Sequence, residues 1–521
     1  MPTHIDQNAS WKQKSDAKKA SILDGVPADH LHPELCFSDF DPSPVLNIPA
    51  LLLSTTEMAI TGSDVTELVN AVAEGTYTAV QVLKAFTHRA VIAHRLLNCC
   101  VEFRYQDACA EAEQLDHYFQ ETGKTQGPLH GLPISVKDQC RIIGTETTCG
   151  FVSQVGVRDT EDCTLVKALK GAGAVIFVKT NLSIGCLWGE TVNNIIGHTS
   201  NPFNRSFSCG GSSGGEGALL GMHGSPMGVG SDLGGSIRSP SAYQGLWGLR
   251  PSTGRIPFHR ILNSMEGNEI VESVPWLHDP KCHPIPWRQA ELDDSVSGRP
   301  LRIGVMLWDD CVLPQPPIRR AMGEMEATLK AAGHEAIPWK LDQKRALELL
   351  VSAVTSDARG DVDLTMAKSG EPDLGLAFRS RQKPLTILES WELTMKRVDF
   401  RASVLDQWNA AGNDASHPMD AYITPINPTV APMHGEHKTY TLHGLHGHNP
   451  EVDLPDHPSG KFDAAGQPIP PPASDLDIAV PKNYEPRRYE GLPVAVQVVG
   501  RRLEEEKILG IAQVLEKLLK F

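Results

Sequence analysis

The chain has 521 residues, 40% of them hydrophobic and 21% charged, with a formal net charge of −15. That is a globular composition, long enough for one large α/β domain or a few smaller ones. Its acidity argues against nucleic acid or an anionic membrane as the main partner, since both call for basic surface.

Eleven cysteines run irregularly from Cys36 to Cys311 without a CxxC pair, as expected of free thiols in a reducing compartment rather than of a disulfide framework. The N-terminus MPTHIDQNASWKQKSDAKKA is polar and lacks a signal-peptide core. No apolar run approaches the ~18–20 residues of a membrane span, and the final LEKLLKF is not a peroxisomal address. A cytoplasmic location is expected.

Residues 1–55 read as a helical arm punctuated by proline. From Ser63 onward apolar residues recur at helical spacing, with Gly75 dividing two helices. LHGLPISVKDQ (129–139) carries a short apolar run ending at Lys137, a strand that enters a loop. LVKALKGAGAVIFVKTN (165–181) reads as helix, glycine stop and buried strand. In the glycine-rich stretch that follows, Ala218 to Leu220 and Met227 to Val229 supply a helix core and a strand core. LRIGVM (301–306), the helical IRRAMGEMEATLKAAG (318–333) and HEAIPWKL (334–341) make a β-α-β unit. The chain closes on a buried strand and an amphipathic helix (491–521).

The alternation of helix and strand favours one large α/β fold: an arm over 1–55 and a domain over 56–521, within which 427–481 is an irregular excursion rich in Pro, Gly, His and Asp. The excursion's histidines (His434, His437, His443, His446, His448, His457) stand at no familiar zinc spacing with cysteine or acidic ligands, so no metal is assigned.

The stretch SCGGSSGGEG, Ser208 to Gly217, is the most unusual in the chain. A flexible linker is excluded, because the cluster runs directly into the apolar ALLG and MGVG. A phosphate loop would need lysine after Gly215, and Glu216 stands there instead. Gly211-Ser212-Ser213-Gly214-Gly215 satisfies Gly-x-Ser-x-Gly, but a nucleophile elbow needs a buried strand before it. HTSNPFNRSFSC (198–209) looks too polar and turn-like to supply one.

A fourth reading takes in two neighbours. Lys137 ends an apolar run, and Ser236 follows Gly234 and Gly235 in GSDLGGSIR (230–238). A serine hydroxyl attacks only when a base takes its proton. A lysine serves as that base only when neutral, and a second serine can relay the proton between them. Glycines before the nucleophile let backbone N–H groups turn inward as an oxyanion hole, each donor worth about 3–4 kcal/mol.

These three segments, in this order and spacing, resemble the amidase signature family. VKTN (178–181), GETVNNIIGHTSNPFN (189–204), GLWGLRPSTGRIP (245–257) and YEGLPVAVQVVGRRLEEEK (489–507) extend the resemblance, which is nearest to fungal-type acetamidases and general amidases. It covers residues from about 10 to 260, then 300–345 and 484–518.

The resemblance implies a single large α/β domain with a central twisted mixed β-sheet covered by helices. It implies a triad of Lys137, Ser212 and Ser236, with a cis peptide bond between Gly211 and Ser212 and with Ser213 assisting by hydrogen bonding. The backbone N–H groups of Leu233, Gly234, Gly235 and Ser236 would form the oxyanion hole, and Asp232 and Arg238 would brace the loop. The implied reaction converts a small monocarboxylic acid amide to the acid and ammonia, with no metal or organic cofactor. The expected partner is a small-molecule amide, with neither nucleic acid nor membrane, and a homodimer is the assembly allowed for.

Two stretches depart from the family pattern. After NSMEGNEIVESV (263–274) the chain jumps to PWLHDPKC, and after AYITPINPTVAP (421–432) the irregular excursion replaces a helix and a buried strand. Three alternatives stay open: the same fold acting on a larger acyl amide, the catalytic subunit of a tRNA-dependent amidotransferase, and a catalytically impaired paralogue.

Overall fold

Several helices begin where a side chain satisfies backbone N–H groups of the first turn. Ser54 with Glu57, Asp64 with Glu67 and Thr78 with Gln81 each form a reciprocal capping box at the head of helices Thr55–Gly62, Val65–Ala73 and Ala79–Leu97. Each such cap stabilises its helix by about 1 kcal/mol. Gly75 adopts φ +74° and separates the second helix from the third, as its position in the sequence predicts. Helix Ala79–Leu97 buries Val82, Leu83, Phe86, Val91 and Ile92, which explains why its apolar residues exceed a single stripe.

The computed structural model describes residues 9–37, 41–262, 279–309, 311–375, 382–411, 418–437 and 484–519. They sort into two compact units, one of residues 1–284 with 361–377 and one of 285–360 with 378–521.

The first unit holds a four-stranded sheet of β1 (Cys100–Phe103), β2 (Pro133–Lys137), β3 (Val175–Thr180) and β4 (Gly228–Val229), in the order β1-β3-β2-β4. β2 runs parallel to β3 and to β4, while β1 is antiparallel to β3. Every residue of β2 and β3 is buried, so neither shows the alternation of inward apolar and outward polar residues that marks a strand with one solvated face. Lys137 is the last residue of β2 and pairs with Thr180 in the register. The arm contributes helix Trp11–Ser21, a turn of 3-10 helix at Ala28–His30 and helix Pro49–Leu52, the last with proline in its first turn.

One local expectation is overturned. Asn204–Ser208 is a strand, buried at four of its five positions and paired antiparallel with Ser200–Asn201. Its polar side chains are satisfied inside the protein: Arg205 pairs with Asp41, and Ser208 Oγ accepts from the Gly210 N–H at 3.0 Å. Polarity alone therefore misreads the stretch, because internal hydrogen bonds replace the solvent that polar residues usually require.

The second unit has a mixed sheet of β5 (Arg302–Val305), β6 (Glu335–Pro338), β7 (Ala421–Pro425) and β8 (Val496–Val499), in the order β6-β5-β7-β8. β5 is parallel to both neighbours and β8 is antiparallel to β7. Helix Pro316–Ala331 turns Ile318, Met322, Met325 and Leu329 inward at helical spacing. Helix Glu505–Leu519 adds Ile511 and Leu515 to the same core. Residues 263–278 and 438–483, with His443, His446, His448 and His457, lie outside the described residues. Most of both departures from the family pattern lies there. Among the described residues no helix is long and apolar enough to cross a membrane.

Candidate active site

Lys137 is 0% exposed. Its Nζ donates to Ser212 Oγ at 2.6 Å and to Ser231 Oγ at 2.9 Å. Ser231 Oγ in turn donates to Gln139 Oε1 at 2.5 Å. The adjacent carboxylate does not compete for the lysine. Asp138 Oδ2 accepts from the main-chain N–H groups of Thr148 and Cys149, each at 3.0 Å, and Oδ1 lies 3.3 Å from Lys179 Nζ.

Ser212 follows a cis peptide bond with Gly211, in agreement with the resemblance. The glycines of this stretch are dictated largely by close approach. A Cβ on Gly211 would lie 2.7 Å from the Trp188 carbonyl oxygen and 2.9 Å from the Glu190 nitrogen, and one on Gly215 would overlap the main chain of Asn181. Only Gly210, at φ +81°, needs the left-handed region. Helix Gly214–Gly221 starts directly after Ser213. Strand 204–208, the glycine turn and this helix thus give the elbow-like order that the sequence looked unable to supply. Ser213 is nevertheless engaged by its neighbours: Oγ donates to the Ser231 carbonyl at 3.2 Å and accepts from the Ser231 N–H at 3.3 Å.

Ser236 joins this group through the main chain, its carbonyl accepting from the Ser213 N–H at 3.1 Å. Among the described residues no side-chain hydrogen bond links Ser236 Oγ to Ser212. Such links often tighten only when substrate is bound. The loop carrying Ser236 is wound around Asp232. That carboxylate accepts from the N–H groups of Gly235 (2.7 Å), Ile237 (3.0 Å) and Arg238 (3.2 Å) and from the Arg238 guanidinium at 2.9 and 3.0 Å. Burial pushes the Asp232 carboxyl up, but the Arg238 and main-chain hydrogen bonds outweigh it and hold it well below the usual carboxylate range. Asp232 is thereby hydrogen-bonded to three main-chain N–H groups of the loop and to the Arg238 side chain.

The Gly235 N–H is a different matter. It already donates to Asp232, so it is not free to serve an oxyanion. The N–H groups of Leu233, Gly234 and Ser236 have no protein partner among the described residues. A mostly apolar cleft beside this loop is lined by Ser231, Asp232, Ile237, Pro257, Phe258 and Ile261.

Sequence reasoning missed Ser231, Gln139 and Glu216. Ser231 lies in the quoted GSDLGGSIR, but nothing in that string says which hydroxyl meets a lysine 94 positions upstream. Glu216, read only as an obstacle to phosphate, is buried and accepts from Ser135 Oγ at 2.7 Å and Thr180 Oγ1 at 2.8 Å. Burial pushes its carboxyl up to about 7 against the pull of those hydroxyls.

The family model for amidases matches residues 81–509. The acetamidase of Emericella nidulans is 38% identical over 550 aligned positions, covering 98% of each chain, and that of Aspergillus oryzae is 37% identical over 98% of this chain and 99% of its own. Among solved structures, a fatty acid amide hydrolase superposes with a TM-score of 0.83 at 28% identity, covering 99% of this chain and 96% of the other. By sequence over almost its whole length, and by an α/β fold with helix-covered mixed sheets, this chain belongs to the amidase signature family, enzymes that hydrolyse amide carbon–nitrogen bonds.

Proposed function

We propose that this chain hydrolyses small monocarboxylic acid amides to the acid and ammonia, with Lys137, Ser212 and Ser236 as its catalytic residues. The observation that carries this is the 2.6 Å contact between the buried Lys137 Nζ and Ser212 Oγ, a base and a relay already in register. Ser236 Oγ attacks the carbonyl carbon and passes its proton to Ser212, which hands its own proton on to Lys137 Nζ. The N–H groups of Leu233, Gly234 and Ser236 receive the developing oxyanion. As the tetrahedral species collapses, Lys137 returns the proton through Ser212 to the departing nitrogen, ammonia leaves and the acyl group stays on Ser236. Water, deprotonated through the same relay, attacks the ester, and the carboxylic acid departs as Ser236 regains its proton.

The acetamidase relatives support a small acyl group. The fatty acid amide hydrolase likeness supports a second reading, the same chemistry on a longer acyl chain. The eleven cysteines are all free, in keeping with a reducing, cytoplasmic setting.

Incubation with a fluorophosphonate, followed by digestion and mass spectrometry, tests the chemistry without knowledge of the substrate. The expected label is on Ser236, with labelling at least about 10³-fold slower in Lys137→Ala. Label on Ser213, or none on folded protein, overturns the assignment. Ammonia release from acetamide against longer amides then separates the two substrate readings.

A further inference from the structure

A second group of reactive side chains lies in the arm and the helices beside it, and the proposed reaction does not use it. His88, on helix Ala79–Leu97, places Nδ1 2.7 Å from Glu57 Oε1 and Nε2 2.8 Å from His32 Nε2. His32 Nδ1 lies 2.8 Å from Glu34 Oε1. Three contacts in a row each need a proton or a cation between their electronegative atoms. Two neutral imidazoles bring two protons, so one contact lacks its own.

His30 completes the group. Its ring stacks on that of His88 at 4.2 Å between centroids, and its Nδ1 is buried without a hydrogen-bond partner. A buried ring nitrogen of this kind is rare and calls for an explanation. One potential ligand atom each from His30, Glu57 and His88 lies within 4.8 Å of the other two.

We propose that His30, Glu57 and His88 bind a divalent transition-metal ion of the zinc class, which takes the place of the missing proton between His88 Nδ1 and Glu57. His88 then donates its Nε2–H to His32, and His32 donates its Nδ1–H to Glu34, the outer-shell pattern that orients metal-bound imidazoles. Two imidazoles and a carboxylate suit zinc and its neighbours, whereas magnesium and calcium prefer all-oxygen sites. The unpartnered His30 Nδ1 is the ring atom available to the ion. Seating the ion requires the stacked His30 ring to turn about its Cβ–Cγ bond until it faces the His88–Glu57 pair. The ion would tie the turn Ala28–His30 to helices Thr55–Gly62 and Ala79–Leu97, three segments far apart in the sequence.

The test uses the full chain, stripped with a chelator and titrated with zinc chloride. Bound metal is measured by elemental mass spectrometry and the thermal midpoint is followed in parallel. One zinc per chain, with a raised midpoint, is expected. His30→Ala and Glu57→Gln, each checked for a folded circular-dichroism spectrum without metal, weaken zinc about 100-fold or more. Zinc held equally well by both variants overturns the proposal by placing the ion elsewhere. Absence of bound zinc overturns it in favour of a third proton and a His32–His88 imidazolium.

Discussion

Lys137 and Lys179 lie on the adjacent parallel strands β2 and β3, both with 0% exposure, and they differ in what they touch. Lys179 Nζ lies 3.3 Å from the Asp138 carboxylate and donates to the Glu146 carbonyl at 2.6 Å. Lys137 Nζ donates to two serine hydroxyls. Of these two buried lysines in one sheet, Lys179 has a carboxylate at 3.3 Å and Lys137 has the hydroxyls of Ser212 and Ser231.

Ser231 is expected to position Lys137 rather than to react. Ser231→Ala removes one of the two hydroxyls at Nζ and leaves Gln139 Oε1 without that donor. The expected result is a fall in kcat of about 10–100-fold with little change in KM and a displaced acidic limb in the pH–rate profile. Ser231→Thr, which keeps the hydroxyl, should recover most of the rate. An unchanged pH profile in Ser231→Ala would show that the contact is structural.

Asp232 should set the shape of the nucleophile loop. Asp232→Asn loses the charge behind five hydrogen bonds, and a fall in kcat of about 10²-fold or more is expected as the N–H groups of Leu233, Gly234 and Ser236 turn away. The sign with pH follows from the lowered carboxyl: its stabilisation is complete above the unfolded value of about 3.9 and is lost as pH falls through the lower folded value. Denaturation curves at stepwise lower pH, compared with Asp232→Asn, should converge only in strong acid.

Glu216 should behave in the opposite sense. Burial raises its carboxyl from 4.5 to about 7, so the folded state binds the proton more tightly than the unfolded one. Its contribution to stability is greatest below pH ~4.5, declines as pH rises through about 7, and is constant above that. Glu216→Gln removes the titration while Ser135 and Thr180 rotate their hydroxyls to suit the amide. The variant should gain on the wild type as pH rises, by on the order of 3 kcal/mol at pH 8. A difference in urea midpoints that does not vary with pH would refute this.

Close packing makes Gly211 intolerant of any side chain. With main-chain atoms 2.7 and 2.9 Å from an added Cβ, Gly211→Ala should cost about 3 kcal/mol or more, or abolish folded expression. Gly62→Ala is the control. It ends helix Thr55–Gly62 with nothing within 4 Å of its Cβ position, so its thermal midpoint should stay level or rise.

Local order was legible without coordinates. The capping pairs Ser54–Glu57, Asp64–Glu67 and Thr78–Gln81, the Gly75 break and the apolar runs of β2 and β3 stand in sequences a few residues long. Lys137 and Ser236 stand in short strings that draw attention to them, while Ser212 was singled out by the resemblance to the amidase signature family. Strand 204–208 was misjudged because its polar side chains find partners such as Asp41, which is remote in sequence.

The amino-acid order therefore carried what nearest neighbours control: helix starts, strand cores and the identity of the candidate reactive groups. Tertiary structure alone decided which hydroxyl meets Lys137 beside Ser212, that the Gly235 N–H is spent on Asp232, and that His30, Glu57 and His88 converge. The physical reason is the short reach of a hydrogen bond. It acts over about 3 Å, and only the folded chain determines which distant groups come that close.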